Sequence, residues 1–184
     1  MLQIDCLTLG DYQVNCYIVR EAGSHSCVVI DPGYEADTIL DKVDSLGLEV
    51  EAILLTHGHF DHVGAVRQIA ADTDCQVYLH ENELSLPAAM TDGPLYYTDL
   101  YPGEGLLTVV GMDIKVLHTP GHTPGSVCLL IGEALFSGDT LFAGSCGRTD
   151  LPGGDAATIR QSLHRLRLLD RPFYVYPGHG CTTT

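Results

Sequence analysis

The chain carries a cluster of metal-binding residue types in the stretch Thr56-His57-Gly58-His59-Phe60-Asp61-His62, directly after the apolar run 52–55. Three imidazoles and one carboxylate therefore follow one strand-like segment. Alternate side chains of an extended segment point the same way, so His57 and His59 at a strand end can hold one metal from one side. The stretch predicts the first half of a two-metal site.

The residues that follow predict a helix beginning near Asp61, because apolar side chains recur with helical spacing from residue 63 to residue 70. Asp61 and His62 would then lie in its first turn and face a second point in space. Two pairs of ligands aimed at adjacent points indicate two metals.

Three later strand ends carry residues of the same kind. His122 lies in the Gly/Pro-rich turn 119–126, and His179 follows Pro177-Gly178 after an apolar strand pattern. Asp139 follows another strand, and we predict it as a bridging ligand because a carboxylate can place one oxygen on each of two metals. A lone histidine is more often structural, but the repeated order of strand, glycine turn and ligand favours a metal site.

Asp31 ends the buried-strand pattern 26–30 and opens the turn Asp31-Pro32-Gly33. Two interpretations remain open. As a hydrogen-bond acceptor behind a ligand histidine, Asp31 would fix the orientation of that ring. As a turn former, it would need no contact with the site.

The remaining hydropathy patterns predict a chain of mixed strands and helices. Strands are expected near 3–9, 15–20, 26–30, 76–80, 106–110, 114–118, 127–131, 134–136 and 173–176. Amphipathic helices are expected over 35–46 and 155–169, the second capped by Asp155. His118 is expected to be structural and His164 to be solvated.

The segment 86–103 has no clear periodicity and contains Tyr96, Tyr97 and Tyr101. We favour a flap whose tyrosines form one wall of the substrate cleft. The alternative is that the three tyrosines pack down on the core.

Length and composition argue against several classes of protein. The 184 residues are expected to form one domain, 1–184. No basic N-terminal segment precedes an apolar stretch, and no run reaches about 18 apolar residues, so we expect a cytoplasmic protein without a membrane partner. The net charge of −15 disfavours nucleic acid as a partner.

The seven cysteines are an odd number and contain no C-x-x-C pair, which indicates reduced thiols that mostly fill the core. Cys146 and Cys181 lie near the proposed site segments, but we assign them no role.

Taken together, these motifs resemble the seven-ligand signature of the metallo-beta-lactamase-fold hydrolases. The matching residues are His57, His59, Asp61, His62, His122, Asp139 and His179. The neighbouring Asp31-Pro32-Gly33, the turn 119–126 and the run 137–142 are similar to the glyoxalase II branch, the hydroxyacylglutathione hydrolases. The resemblance extends from about residue 3 to residue 182, and it is more specific for the fold than for the branch.

The resemblance implies an α/β (α+β) fold, a four-layer αββα sandwich with the metals at one edge between the two sheets. It assigns His57, His59 and His122 to one metal, the set Asp61, His62 and His179 to the other, and Asp139 to both. Such ligands suit two catalytic Zn²⁺ ions, and iron or manganese is also compatible.

The implied activity is hydrolysis of a small-molecule thioester, with S-lactoylglutathione as the expected substrate. A hydroxide between metals about 3.5–4 Å apart would attack the carbonyl. Asp61 and Asp139 are the expected catalytic carboxylates, and Asp61 would also orient the hydroxide. No Ser-His-Asp or Cys-His nucleophile is evident in the sequence.

Two features depart from the glyoxalase II pattern. The sequence includes no counterpart of the C-terminal helical domain that contributes to glutathione binding in longer members, so short single-domain relatives with a run like 147–154 look nearest. Arg148 matches a position that contacts a glutathione carboxylate, but Asp150 replaces the expected tyrosine. Arg148 as an anion anchor, and Arg148 as a loop-fixing ion pair with Asp150 or Asp155, both remain open.

Other functions compete with this interpretation. The alternative on the same fold is a persulfide dioxygenase with one iron held by two histidines and an aspartate. Another ester or lactone hydrolase, a nuclease of the same superfamily and a non-catalytic binding module are less favoured. No oligomeric state is predicted.

Overall fold

The computed structural model describes residues 1–170 and 172–184. In chain order its elements are β1 (Leu2–Leu9), β2 (Val14–Glu21), β3 (Ser26–Ile30), α1 (Ala36–Ser45), β4 (Glu49–Leu54), α2 (Phe60–Val63), α3 (Val66–Thr73), β5 (Gln76–Leu79), the 3₁₀ helix η1 (Glu81–Ser85), α4 (Ala88–Thr91), β6 (Asp99–Leu100), β7 (Gly105–Val109), β8 (Met112–His118), β9 (Val127–Ile131), β10 (Ala134–Gly138), β11 (Leu141–Phe142), β12 (Ser145–Cys146), α5 (Ala156–Arg167) and β13 (Tyr174–Pro177). None of the helices within these ranges combines the length and apolar character needed to cross a bilayer.

Two sheets contain most of the strands. The six-stranded sheet has the order β1-β2-β3-β4-β5-β6, and the five-stranded sheet has the order β13-β10-β9-β8-β7. Strands β3 to β6 pair in parallel, which requires crossover connections, and α1, α2 and α3 lie in these connections.

Three hydrophobic clusters separate four layers. The first joins Ile53 of β4 to α1 and α3, and the second joins Leu54 of the same strand to Leu129 of β9 in the other sheet. The third joins Leu130 of β9 to Leu166 of α5. Successive residues of a strand face opposite sides, so β4 and β9 each contribute to two clusters. This order of layers confirms the predicted four-layer αββα sandwich.

The helix predicted from Asp61 to residue 70 is wrong in one respect, because it is two helices, α2 and α3. Between the two helices, Ala65 N–H donates to the carbonyl oxygen of Pro32 at 3.0 Å and not to a carbonyl of the first helix. Asp61 and His62 nevertheless lie in the first turn of α2, as predicted.

The prediction of a flap whose tyrosines form one wall of the substrate cleft is also wrong. Tyr101 is buried and donates from its hydroxyl to the carbonyl oxygen of Leu55 at 3.1 Å. Tyr96 packs against the first hydrophobic cluster, and Arg67 lies over its ring at 5.4 Å. The alternative interpretation holds for these two side chains, and the segment 86–103 contains α4 and β6 instead of a flap.

The cysteines behave as expected for core thiols. Cys16, Cys27, Cys75 and Cys128 are buried, and Cys6, Cys146 and Cys181 are exposed. No disulfide joins any of them in the described ranges.

The packing between the sheets depends on Phe136, which is fully buried with its ring centroid 5.2 Å from those of Tyr17 and Tyr176. Phe136→Ala should lower the free energy of unfolding by about 3–5 kcal/mol, because it removes contacts and leaves a cavity. Urea denaturation checks this value. Leu106→Ala, at a side chain that is 62% exposed, is the control and should change stability by less than about 0.5 kcal/mol. Equal losses in the two variants would contradict the described core.

Candidate metal centre

The candidate centre lies where four strands end. The segment containing His57, His59 and His62 follows β4, His122 follows β8, Asp139 follows β10 and His179 follows β13. Backbone hydrogen bonds join these loops, from Val127 N to the oxygen of Thr56 at 2.9 Å and from Gly178 N to the oxygen of Gly138 at 2.8 Å. The two sheets thus present their ligand loops at a shared edge.

His57, His59 and His122 form the first group of candidate ligands. One ring nitrogen of each lies within 4.8 Å of the others, and His59 Nδ1 is 3.0 Å from His122 Nε2. His122 Nδ1 donates to the carbonyl oxygen of Arg148 at 2.8 Å, which leaves the lone pair of Nε2 directed into the group.

Asp61, His62 and His179 form the second group. His179 Nε2 is 3.3 Å from His62 Nε2 and 3.3 Å from Asp61 Oδ2. His179 Nδ1 donates to the carbonyl oxygen of Tyr12 at 3.0 Å, so its Nε2 is also directed at the group.

Asp139 lies between the two groups. Its Oδ2 is 3.5 Å from His122 Nε2 of the first group and 3.7 Å from His179 Nε2 of the second, and its Oδ1 is 3.4 Å from His62 Nε2. This is the placement that a bridging carboxylate requires.

The donor sets fit divalent metals. The ligand atoms of a tetrahedral zinc bound at about 2.0–2.1 Å are about 3.3 Å apart. The 3.0 Å between His59 and His122 and the 3.3 Å from His179 to His62 and Asp61 are close to this value. Among the described residues, the buried side-chain polar atoms without a hydrogen-bond partner are His57 Nε2, His59 Nε2 and Asp139 Oδ1. Because buried polar atoms are rarely left without partners, their concentration in this centre also points to a bound metal.

Asp31 contacts a ligand histidine as well as forming a turn. Its Oδ2 accepts from His62 Nδ1 at 2.9 Å and from Thr56 Oγ1 at 2.6 Å, and its Oδ1 accepts from Thr56 N at 2.8 Å. Its backbone φ of 51° is that of a turn residue, so both interpretations of the sequence apply. With both oxygens engaged, Asp31 is placed to fix the tautomer and the orientation of His62.

Asp31→Asn should weaken metal binding about 10–100-fold without unfolding the chain. Asparagine tolerates the positive φ, but its amide can donate to His62 Nδ1 and so place the ring proton on the ligand atom Nε2. Isothermal titration of the metal-free protein with Zn²⁺ checks this, with Asp37→Asn, at an exposed residue, as the control. An Asp31→Asn variant with unchanged affinity would show that Asp31 only forms the turn.

Burial lowers the pKa of the three histidines in the first group. The pKa of His57 lies well below its ordinary value and that of His59 is about 4, and neighbouring imidazoles add to burial in both. Burial also lowers the pKa of His122, although Asp139 opposes it. Because imidazole binds metal in its neutral form, this group is already in the required protonation state at neutral pH.

In the second group the pKa values of the histidines are raised, not lowered. Burial opposes charge on His62, but Asp139 and Asp31 raise its pKa well above the ordinary value. Burial likewise opposes charge on His179, whose pKa the hydrogen bond to Asp61 raises. A metal bound here would displace these protons, so its binding should weaken as the pH falls.

A cleft of about 390 Å³ opens over both groups. Its walls contain Tyr12, Phe60, Met90 and Leu151, together with Arg148. The Arg148 guanidinium forms a two-pronged ion pair with Asp150, at 2.7 Å and 2.8 Å. The loop-fixing alternative is therefore observed with Asp150 and not with Asp155, which caps α5 by accepting from Thr158 N.

Sequence reasoning missed the residues that hold the His179 loop. Asn15 Nδ2 donates to the carbonyl oxygens of Pro177 and Gly180 at 3.1 Å and 2.9 Å. The hydroxyl of Tyr17 donates to the same carbonyl oxygen of Pro177 at 2.6 Å. Both belong to β2, where their sequence pattern is that of any apolar strand, so no local signal distinguishes them. His118 and His164 are as expected, since His118 lies in β8 with Nε2 donating to the oxygen of Pro124 and His164 is exposed.

Curated proteins resemble the chain over nearly its whole length. It is 37% identical to the probable metallo-hydrolase YqgX of Bacillus subtilis, in an alignment that covers 96% of this chain and 90% of that protein. It is 33% identical to the hydroxyacylglutathione hydrolase GloC of Haemophilus influenzae, in an alignment that covers 100% of this chain and 93% of that protein.

Solved structures share the fold of this chain, and their descriptions name an enzyme class in one case and a bound metal in another. The B3 metallo-beta-lactamase BLEG-1 matches with a TM-score of 0.88 and 37% identity, covering 99% of this chain and 94% of that one. TTHA1623, in a di-iron-bound form, matches with a TM-score of 0.83 and 41% identity, covering 98% and 94%. ETHE1 from Myxococcus xanthus matches with a TM-score of 0.82 and 29% identity, covering 98% and 79%.

A model built for a whole protein family also matches the chain, independently of any single relative. The model described as the metallo-beta-lactamase superfamily matches residues 9–179, which include every candidate ligand described above. With this match, the αββα layers and the two histidine groups at the sheet edge, the chain belongs to the metallo-beta-lactamase superfamily.

Proposed function

We propose that this metal-dependent hydrolase cleaves thioesters of the hydroxyacylglutathione type. The observation that carries the proposal is the position of Asp139, which reaches nitrogens of both ligand groups at the floor of a single cleft. The resemblance to GloC supports the substrate class.

His57, His59 and His122 would hold one metal, Asp61, His62 and His179 the other, and Asp139 both. Two divalent metals bound there would supply Lewis acidity to activate water and polarise a carbonyl. Burial raises the pKa of Asp61, but in the metal-free chain the hydrogen bond to His179 lowers it below its ordinary value. A bound cation would take the place of that hydrogen bond in favouring the ionised carboxylate. The Asp61 carboxylate can therefore accept a hydrogen bond from the attacking water and orient it.

The walls of the cleft match the two ends of such a substrate. Tyr12, Phe60, Met90 and Leu151 can exclude water from the acyl group, and Arg148 can bind a carboxylate of the thiol part. Arg148 and Asp150 are both largely exposed, at 61% and 68% of their side-chain surface. An exposed ion pair contributes little free energy, so exchanging Asp150 for a substrate carboxylate costs little.

We propose zinc as the native metal, because tetrahedral sets rich in imidazole with an open position are typical of catalytic zinc. The di-iron form of TTHA1623 makes iron the competing metal. Reconstitution of chelated protein with Zn²⁺, Fe²⁺ or Mn²⁺ in turn compares them directly.

The test measures hydrolysis of S-lactoylglutathione by one as-purified sample, with and without chelator, alongside metal analysis. Two metals per chain and turnover that is lost on chelation and restored by metal would support the proposal. Two metals without turnover would overturn the glutathione assignment and leave the metal centre in place. Parallel assays with a β-lactam test for the activity that gives the B3 metallo-beta-lactamase BLEG-1 its class name.

The second candidate is a persulfide dioxygenase, which the similarity to ETHE1 favours. It requires one iron per chain and oxygen uptake in the presence of glutathione persulfide. A sample with one iron and oxygen uptake would place this activity first. A nuclease is less favoured because the net charge is −15, and absence of RNA binding at low salt would exclude it.

A further inference from the structure

Glu83 in η1 is a fully buried carboxylate that the chemistry described above does not use. No arginine, lysine or histidine in the described ranges forms an ion pair with it. A buried carboxylate without a paired cation is costly unless hydrogen bonds compensate for lost hydration.

Two backbone hydrogen bonds provide that compensation. Oε2 of Glu83 accepts from Gly58 N at 2.5 Å, and Oε1 accepts from Gly125 N at 2.6 Å. Gly58 lies between His57 and His59, and Gly125 lies three residues after His122. One carboxylate therefore joins the two loops that supply the first ligand group.

The Glu83 carboxylate lies close to the backbone of both glycines. A Cβ atom at Gly125 would lie 2.7 Å from Glu83 Oε1, so only glycine lets the loop approach the carboxylate this closely. The second ligand group is held differently, since the His179 loop is fixed by Asn15 and Tyr17 from β2.

We propose that Glu83 is a positioning residue for the first ligand group. Its two oxygens set the separation of the loops, and hence the spacing of the three imidazoles that would bind the first metal. The inference rests on the proposed metal centre, and it adds that Glu83 joins the two loops of the first group, whereas Asn15 and Tyr17 hold the His179 loop of the second.

Glu83→Gln is the main variant. Glutamine offers one acceptor oxygen and one amide donor in place of two acceptors, so one of the two backbone N–H groups loses its partner. We expect the affinity of the first group to fall about 10–100-fold, as is usual for residues that orient metal ligands. The second group should keep its affinity. Glu81→Gln, at an exposed residue of the same turn, is the matched control and should bind as the parent protein does.

The readout is titration of chelated protein with Co²⁺, followed by its visible absorption, with circular dichroism to monitor the fold. Two classes of site with separated affinities are expected for Glu83→Gln. Combining it with His122→Ala identifies the affected group, because a residue that acts only through the first group adds nothing once that group is broken. A further loss in the His122→Ala background, or an equal loss at both classes of site, would overturn the proposal.

If Glu83→Gln does not fold, a second variant tests the same contact. Gly125→Ala keeps the carboxylate but pushes it from the opposite side, and we expect the same selective weakening of one class of site. An unchanged Co²⁺ titration would contradict the proposal. None of these measurements uses a substrate, so a chain that binds two metals without cleaving thioesters would refute the proposed function alone.

Discussion

Replacing Asp61 by asparagine should remove most of the hydrolytic turnover while leaving the fold intact. The variant keeps the shape of the side chain, but it loses the negative charge beside His179 and the acceptor that orients the attacking water. Because substitutions behind metal ligands already cost about 10–100-fold, we expect kcat/KM to fall by at least about 100-fold. Steady-state hydrolysis of S-lactoylglutathione at saturating metal measures the loss.

Asp72→Asn is the matched control for Asp61→Asn, because it removes the same charge from an exposed position on α3. Its turnover should equal that of the parent protein. If Asp61→Asn kept full turnover with two metals bound, Asp61 would have no part in orienting the attacking water.

Gly178→Ala should abolish metal binding by the second group. The added methyl group would collide with Oδ1 of Asp139 and would lie 2.7 Å from Cε1 of His62. Real Cβ atoms do not approach other heavy atoms so closely, so at least one of the two ligands must move. We expect no metal to remain at the second group after dialysis, and a loss of turnover comparable to that of Asp61→Asn.

Gly180→Ala separates this collision from general strain in the loop. A Cβ atom at Gly180 meets nothing within 4 Å, but its φ of +79° is unfavourable for alanine. Gly180→Ala should therefore lower the melting temperature and retain metal. Retention of both metals by Gly178→Ala would contradict the described approach of this loop to Asp139.

The sequence predicted most of the strands and the ligand set because both follow local rules. Alternating or continuous apolar residues mark the strands, and each ligand stands in a polar turn directly after one of them. Asp31 was harder to interpret, because an aspartate at a turn looks the same with or without His62 behind it. Only the fold brings these two side chains, 31 residues apart, to 2.9 Å.

The incorrect and missing predictions concern contacts between distant segments. The break between α2 and α3 depends on Pro32, which lies before β4 in the chain. Glu83 has the sequence context of an ordinary solvated acid, and its burial results from the packing of η1 beneath two loops. Met90 lines the cleft while Tyr96 does not, and no periodicity in the segment 86–103 distinguishes the two.

The distance in sequence between the ligands has a consequence for biosynthesis. His62 and His179 are 117 residues apart, so a ribosome that adds about 5–20 residues per second needs about 6–23 s to pass from one to the other. For the first 60 of these residues His57 and His59 lack His122, which completes the first group, and His62 lacks its partner in the second group until His179 is added. A cell that loads the metal in the correct place must therefore do so after synthesis, or keep the early histidines from binding metal in the meantime.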